Sequence, residues 1–154
     1  MPSFQAGILN FRGGAMRGIV LAGILWTVAL GQCAVANDTL YGDLGGSAGI
    51  QKIVDAEMVY HLKNPRIKTQ FDDTNIERLK EQLVIFICQV AGGPCRYTGH
   101  DLHTVHKGMH LTVADFNSSV EDMQHAMDDL GIAYATQNRL LARLAPFERD
   151  IVTR

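Results

Sequence analysis

Residues 99–110 read Gly-His-Asp-Leu-His-Thr-Val-His-Lys-Gly-Met-His, which places four of the six histidines of the chain, His100, His103, His106 and His110, within eleven positions. A neutral imidazole is the commonest protein ligand for transition metals, and two readings compete. In one, several of these histidines share a Zn or Cu ion. In the other, one of them is the axial ligand of a flat macrocycle and the rest are solvated. A turn or two of helix over residues 101–107 would gather Leu102, Val105, His106 and Met109 on one side and send His100, Asp101 and Thr104 elsewhere. His106 is then the imidazole set among apolar neighbours, the surroundings that suit an axial ligand beneath a flat hydrophobic macrocycle. Spacing alone equally allows a histidine of no special role.

The run lies in a connection of about twenty residues, 92–111, with no strong periodicity, a length that is usually functional or disordered. On its N-terminal side the spacing predicts a helix opening at Thr74, with Glu77 as capping-box partner. Its apolar face is Ile76, Leu79, Leu83, Phe86, Ile87 and Val90, and Gly92, Gly93 and Pro94 end it. On the other side a helix opens at Thr112 with Asp115 and carries Val113, Phe116, Val120, Met123, Met127 and Leu130 before Gly131. Further out, Ile50, Ile53, Val54, Met58 and Leu62 mark a helix from Ser47 that Asn64 and Pro65 stop. A short lead-in at 41–44 precedes it. Leu140, Leu141, Leu144 and Phe147 mark a last helix that Pro146 kinks or ends. No alternating run is long enough for a strand, so the fold class expected is all-α.

The N-terminal residues are of another kind. Arg12 and Arg17 are the only charges in residues 1–36, an uncharged run spans 19–30, and Ala34 and Ala36 supply an A-x-A cleavage pattern. The run is shorter than the ~20 residues that a membrane-crossing helix needs. Residues 1–36 are therefore expected to be a signal peptide, with Met16 an alternative start and residues 37–154 the folded domain. A lipidated Cys33 fits less well because Gln32 precedes it, and the other alternative is an uncleaved anchor. The expected location is outside the cytoplasm, in the periplasm, with the membrane touched only through this segment.

Removing 36 of the 154 residues leaves 118, with 12 basic and 16 acidic side chains and a net charge of −4. No basic patch stands out, which argues against nucleic acid as a partner. The two cysteines left, Cys88 and Cys95, have six residues between them; in an oxidising compartment they are expected to form a disulfide, the alternative being two free thiols. Neither a C-x-x-C redox motif nor the C-x-x-C-H of covalent c-type haem is present.

Beyond these readings the sequence resembles the group I truncated haemoglobins over nearly all of residues 37–154. The resemblance rests on Leu-Tyr-Gly-Asp-Leu-Gly-Gly at 40–46, on Pro65, Arg66 and Ile67 leading to Phe71, and on Gly-Gly-Pro at 92–94. It continues through Tyr97, Thr98 and Gly99, Val-His-Lys-Gly-Met at 105–109, and the closing stretch 144–152. It implies a truncated-globin two-over-two helical sandwich around one haem b (iron protoporphyrin IX) per chain. It also implies His106 as the proximal iron ligand and Phe71 as the ring stacked on the porphyrin. Leu79, Leu83, Phe86, Leu102, Val105 and Phe116 would make up the rest of the haem pocket. Exported relatives keep cysteines at these two points, which implies the Cys88–Cys95 bond.

On the distal side the chain departs from the family. Glu57 and Met58 stand where relatives often carry Phe-Tyr, and Leu83 stands where they often carry glutamine. The expected distal pocket is Met58, Leu79, Gln82 and Leu83, with Gln82 as its hydrogen-bond donor. A local shift would instead turn Tyr60 or His61 inward. No histidine lies beyond His125, so haem attachment through the last helix is not expected.

The function implied is reversible binding of O2, NO or CO, with NO or peroxide detoxification in the cell envelope as a possible role. Catalysis as an NO dioxygenase or peroxidase would need a separate electron donor, since no G-x-G-x-x-G motif is present. Two alternatives stand beside it: a six-coordinate electron-transfer or haem-handling protein with Met58 as second iron ligand, and a haem-free metal module built on the histidine cluster.

Overall fold

The structure, a computed structural model, describes residues 39–154. The expected signal peptide, its cleavage point after Ala36 and the alternative start at Met16 lie outside the described residues. Every regular element among the described residues is helical: α1 (Leu40–Asp43), α2 (Gly46–His61), α3 (Ile76–Val90), α4 (Leu102–His106), α5 (Val113–Asp129), α6 (Tyr134–Leu144) and α7 (Glu148–Ile151). Two 3₁₀ turns, Lys68–Phe71 and Ala145–Phe147, join them. None of these helices is long and apolar enough to cross a membrane.

Packing is organised by α2, which lies against both α3 and α5. Ile50, Ile53 and Val54 repeat at helical spacing on its inner face and are fully buried with Ile87 and Cys88 of α3, Met127 of α5 and Leu140 of α6. The first turn of α2 comes so close to α1 that a Cβ on Gly49 would collide with the Leu44 carbonyl oxygen. Backbone cannot yield as a flexible side chain can, so only glycine serves there.

The helix starts test the capping patterns. At α5 the box forms as expected: Asp115 N–H donates to Thr112 Oγ1 at 3.3 Å and Thr112 N–H donates to Asp115 Oδ2 at 2.9 Å. At α3 it does not. Thr74 N–H is spent on the Phe71 carbonyl at 3.0 Å, closing the preceding turn. Asn75 is the cap instead, its Oδ1 accepting from Arg78 N–H at 3.0 Å. Pro146 ends α6 by tightening it into the 3₁₀ turn, which carries the chain straight into α7.

The long connection 91–112 is held at both ends. Cys88 and Cys95 are disulfide-bonded, with Cα atoms 5.7 Å apart, and Gln89 Oε1 accepts from Tyr97 N–H at 2.7 Å. At the far end, Thr153 and Arg154 N–H both donate to the Leu111 carbonyl, and Leu111 N–H donates to Thr153 Oγ1. With α4 also packed against α7, the C-terminal residues brace the segment that carries His106.

Candidate functional site: a cavity beside His106

The quoted histidine run folds as one short helix, α4. Asp101 caps it, its carboxylate accepting from Thr104 N–H at 2.8 Å and from the Thr104 hydroxyl at 2.7 Å. These bonds hold the Asp101 carboxyl below the usual carboxylate range, so the cap stays ionised at neutral pH. Gly108, with φ 84°, and His110, with φ 55°, turn the chain out of α4 towards α5.

His106 is half-buried, and its Nδ1 lies 2.7 Å from the Leu102 carbonyl oxygen one turn back. A carbonyl only accepts, so Nδ1 carries the proton and donates it. The tautomer is thereby fixed with the lone pair on Nε2, the form in which a histidine ligates a metal.

His106 lines a cavity of about 560 Å³. The residues expected in a cofactor pocket come together on its wall: Phe71, Leu79, Leu83 and Phe86 from the first half of the fold, Leu102, Val105 and Phe116 from the second. Val105 is nonetheless 44 % exposed, an apolar side chain half in water at the edge of the site. Phe86 is held edge-on by Tyr97 and Phe147, with ring centroids 5.5 and 5.1 Å away. Polar groups interrupt the wall at Gln70, Thr74, Asn75, Arg78 and His100.

The histidine cluster does not act as a unit. His100 and His106 line the cavity, while His103 and His110 are exposed and do not. Among the described residues no group of three His, Cys, Asp or Glu side chains is placed to hold an ion. The shared-metal reading of the run is thus corrected: His103 and His110 face solvent, and only His100 and His106 reach the cavity.

The distal expectation is corrected as well. Gln82, Leu79 and Leu83 line the cavity, but Met58 does not; it is buried at 2 % exposure off the wall. Successive residues of a helix are ~100° apart, and α2 turns Glu57 and His61, one turn apart, to the cavity instead. Tyr60 points away, its hydroxyl donating to Asp129 Oδ2 at 2.6 Å.

Glu57 and His61 belong to a buried polar network that the apolar spacing of α2 did not announce. The His61 Nδ1–H donates to Asp122 Oδ2 at 3.0 Å, and Nε2 faces Glu57 Oε1 at 3.4 Å and Ser119 Oγ at 3.2 Å. Asn64 donates to Asp122 Oδ2 at 2.8 Å and to Ser118 Oγ at 2.9 Å. Phe71 covers the imidazole, ring centroids 5.4 Å apart. Burial opposes the charge on His61, but Glu57 and Asp122 on either side outweigh it and raise the imidazole above its ordinary value. The signal available in the sequence was the i, i+4 pairing of Glu57 with His61 on an otherwise apolar helix.

Comparison with known proteins agrees with this architecture. A family model described as bacterial-like globin matches residues 39–153. The group 1 truncated haemoglobin of Mycolicibacterium paratuberculosis is 29 % identical over 115 residues, covering 75 % of this chain and 85 % of that protein. That of Tetrahymena thermophila is 30 % identical over 95 residues, covering 62 % and 78 %. The crystal structure of the Tetrahymena pyriformis truncated haemoglobin in its Fe(III) form superposes with a TM-score of 0.73 at 26 % identity, covering 75 % of this chain and 99 % of that one. The helices described above are therefore those of the truncated-globin two-over-two sandwich, and the chain belongs to the bacterial-like globin family.

Proposed function

We propose that this protein binds one haem b in the cavity beside His106 and through it binds small diatomic gases, O2, NO or CO, reversibly. The observation that carries the reading is the fixed tautomer of His106 on the wall of a largely apolar cavity. The volume, about 560 Å³, is within the usual range of cofactor sites, and a flat apolar body would take the apolar lining out of water.

The residues present fit the group. His106 would ligate the iron through Nε2, with the Leu102 carbonyl orienting the ring. Phe71 offers its face, and Leu79, Leu83, Phe86, Leu102, Val105 and Phe116 exclude water. Thr74, Asn75 and Arg78 suit the two carboxylates of the macrocycle. The haem supplies a metal centre that takes gas ligands. Around it, Gln82 contributes an amide N–H that can donate to a polar ligand, and the apolar side chains keep the site dry.

Electron transfer through a six-coordinate iron is less well supported, because Met58, the thioether it required, is off the cavity wall. Turnover in NO or peroxide detoxification would draw on a separate electron donor. Export to the periplasm, through a signal peptide at 1–36, is part of the proposal and accords with the Cys88–Cys95 bond.

The test is an absorption spectrum of the purified protein in ferric, ferrous and CO-bound forms, for wild type, His106→Ala and His103→Ala. Wild type and His103→Ala are expected to show a Soret band, and His106→Ala to lose or greatly weaken it. Equal haem retention by both variants would refute the proximal assignment, and no Soret band in wild type would refute haem binding.

A further inference from the structure

Glu57 has no part in the function proposed above, yet its placement is costly. With Glu57, His61 and Asp122 all ionised, three charges are buried and sum to −1. Asp122 faces Nδ1 at 3.0 Å and Glu57 faces Nε2 at 3.4 Å, so two carboxylates share one imidazolium and one negative charge is left over. Glu57 is 3 % exposed and lies on the cavity wall. Its Oε1 faces His61, and its Oε2 is buried with no hydrogen-bond donor in the protein. A bare carboxylate oxygen in such a place is destabilising unless something brings it a proton or a donor.

We propose that Glu57, backed by His61 and Asp122, is a proton acceptor through which the cavity takes up small neutral weak acids, HX, as anion plus proton. The apolar wall admits HX more readily than X⁻, since a bare anion is expensive to desolvate. Inside, the H–X bond breaks, X⁻ stays in the cavity, and the proton forms a bond to Glu57 Oε2. No electron changes hands. The proton stays within the site, so the anion's charge is matched by the charge that the carboxyl gains and the net charge of the buried site is that of the site before HX entered. Protonated Glu57 is then a donor able to hydrogen-bond X⁻. His61, anchored by Asp122, keeps Glu57 in place and holds its own positive charge near the anion.

The charged and titratable groups that line the cavity around this triad are Asp115 of α5, Arg78 of α3, and His100 and His106 on the far connection. Asp115 is engaged with Thr112 and with Arg66 at 3.4 Å, and His106 with the Leu102 carbonyl. Glu57 is thus the carboxylate on the wall with an oxygen to spare.

The proposal rests on the haem reading, and the experiment separates the two. Hydrogen cyanide is added to the ferric, haem-loaded protein at neutral pH, and protons released to solvent are counted by calorimetry in buffers of different ionisation heat. Wild type is expected to release close to none, because Glu57 keeps the proton, and Glu57→Gln close to one per site. Cyanide association is expected to slow by roughly tenfold to a hundredfold in Glu57→Gln, the low end of general-base effects. Imidazole, which has no proton to give up on binding, should associate with both alike. In infrared difference spectra a protonated-carboxyl band should appear on cyanide binding to wild type and be absent from the variant. Release of one proton by wild type overturns the proposal, whether or not Glu57→Gln folds. Absence of a Soret band from wild type overturns the haem reading and this proposal with it.

Discussion

Replacing Asp122 by alanine strikes the point where α5 and the end of α2 are joined. Oδ2 of Asp122 accepts two hydrogen bonds, from His61 at 3.0 Å and from Asn64 at 2.8 Å. Losing one partner of a buried charged pair costs about 3–5 kcal/mol, a fifth to most of the ~6–17 kcal/mol that a domain of this length has. The sign of the pH dependence follows from His61. Its value is raised in the fold, as two carboxylates outweigh its burial. The stabilisation is therefore fully present below the unfolded imidazole value of about 6.5 and is lost as pH rises through the higher folded value. Urea unfolding followed by circular dichroism at pH 6 and at pH 9 should show the gap between wild type and Asp122→Ala narrowing at pH 9. Asp122→Asn keeps volume and an acceptor oxygen, and should approach wild type at the higher pH. A loss under about 1 kcal/mol at pH 6, or a gap that widens with pH, would refute the charged-network account.

Other perturbations probe the remaining parts of the fold and site. Opening the Cys88–Cys95 bond, which closes a loop with a sequence separation of 7, should cost about 2.5 kcal/mol on the chain-entropy model. Alkylation should add no label before reduction and two after it, and two labels without reductant would contradict the bond. Gly49→Ala, which drives a methyl group into the Leu44 carbonyl, should destabilise by several kcal/mol, beyond the ~1–3 kcal/mol usual for overpacking; a melting temperature unchanged from wild type would show that α1 can move aside. Gln82→Leu should speed O2 release from the haem-loaded protein in stopped-flow measurements, and an unchanged rate would remove Gln82 from contact with the ligand.

The helices were legible because their apolar spacing and their stops are local signals. Ile50, Ile53 and Val54, or Val113 to Leu130, need no partner to be read. The Thr112–Asp115 box was read correctly, whereas Thr74 and Glu77 have the same pattern but form no box. What separated the two cases is tertiary: the 3₁₀ turn ending at Phe71 takes the Thr74 N–H and moves the cap to Asn75. The short α4 was legible only as a condition, since five residues between Asp101 and Lys107 are too few to stabilise themselves. Their place depends on the cap, the disulfide and the C-terminal strap around Leu111.

The two sides of the site differ in the same way. His106 stands out from sequence because a lone imidazole among Leu102, Val105 and Met109 is a contrast that spacing can register. On α2 the family resemblance pointed to position 58, and a one-residue turn of the helix decides otherwise. Met58 goes into the protein interior, and Glu57 with His61 takes the wall. That choice follows from Asp122, Ser118 and Ser119, more than fifty residues away in sequence, which receive the polar side chains of this end of α2 and the following residues. A buried acid on α2 without them would be uncompensated, and the helix would have every reason to show the cavity its methionine. The chemistry of the cavity is therefore set by α5 as much as by the helix that bears Glu57 and His61.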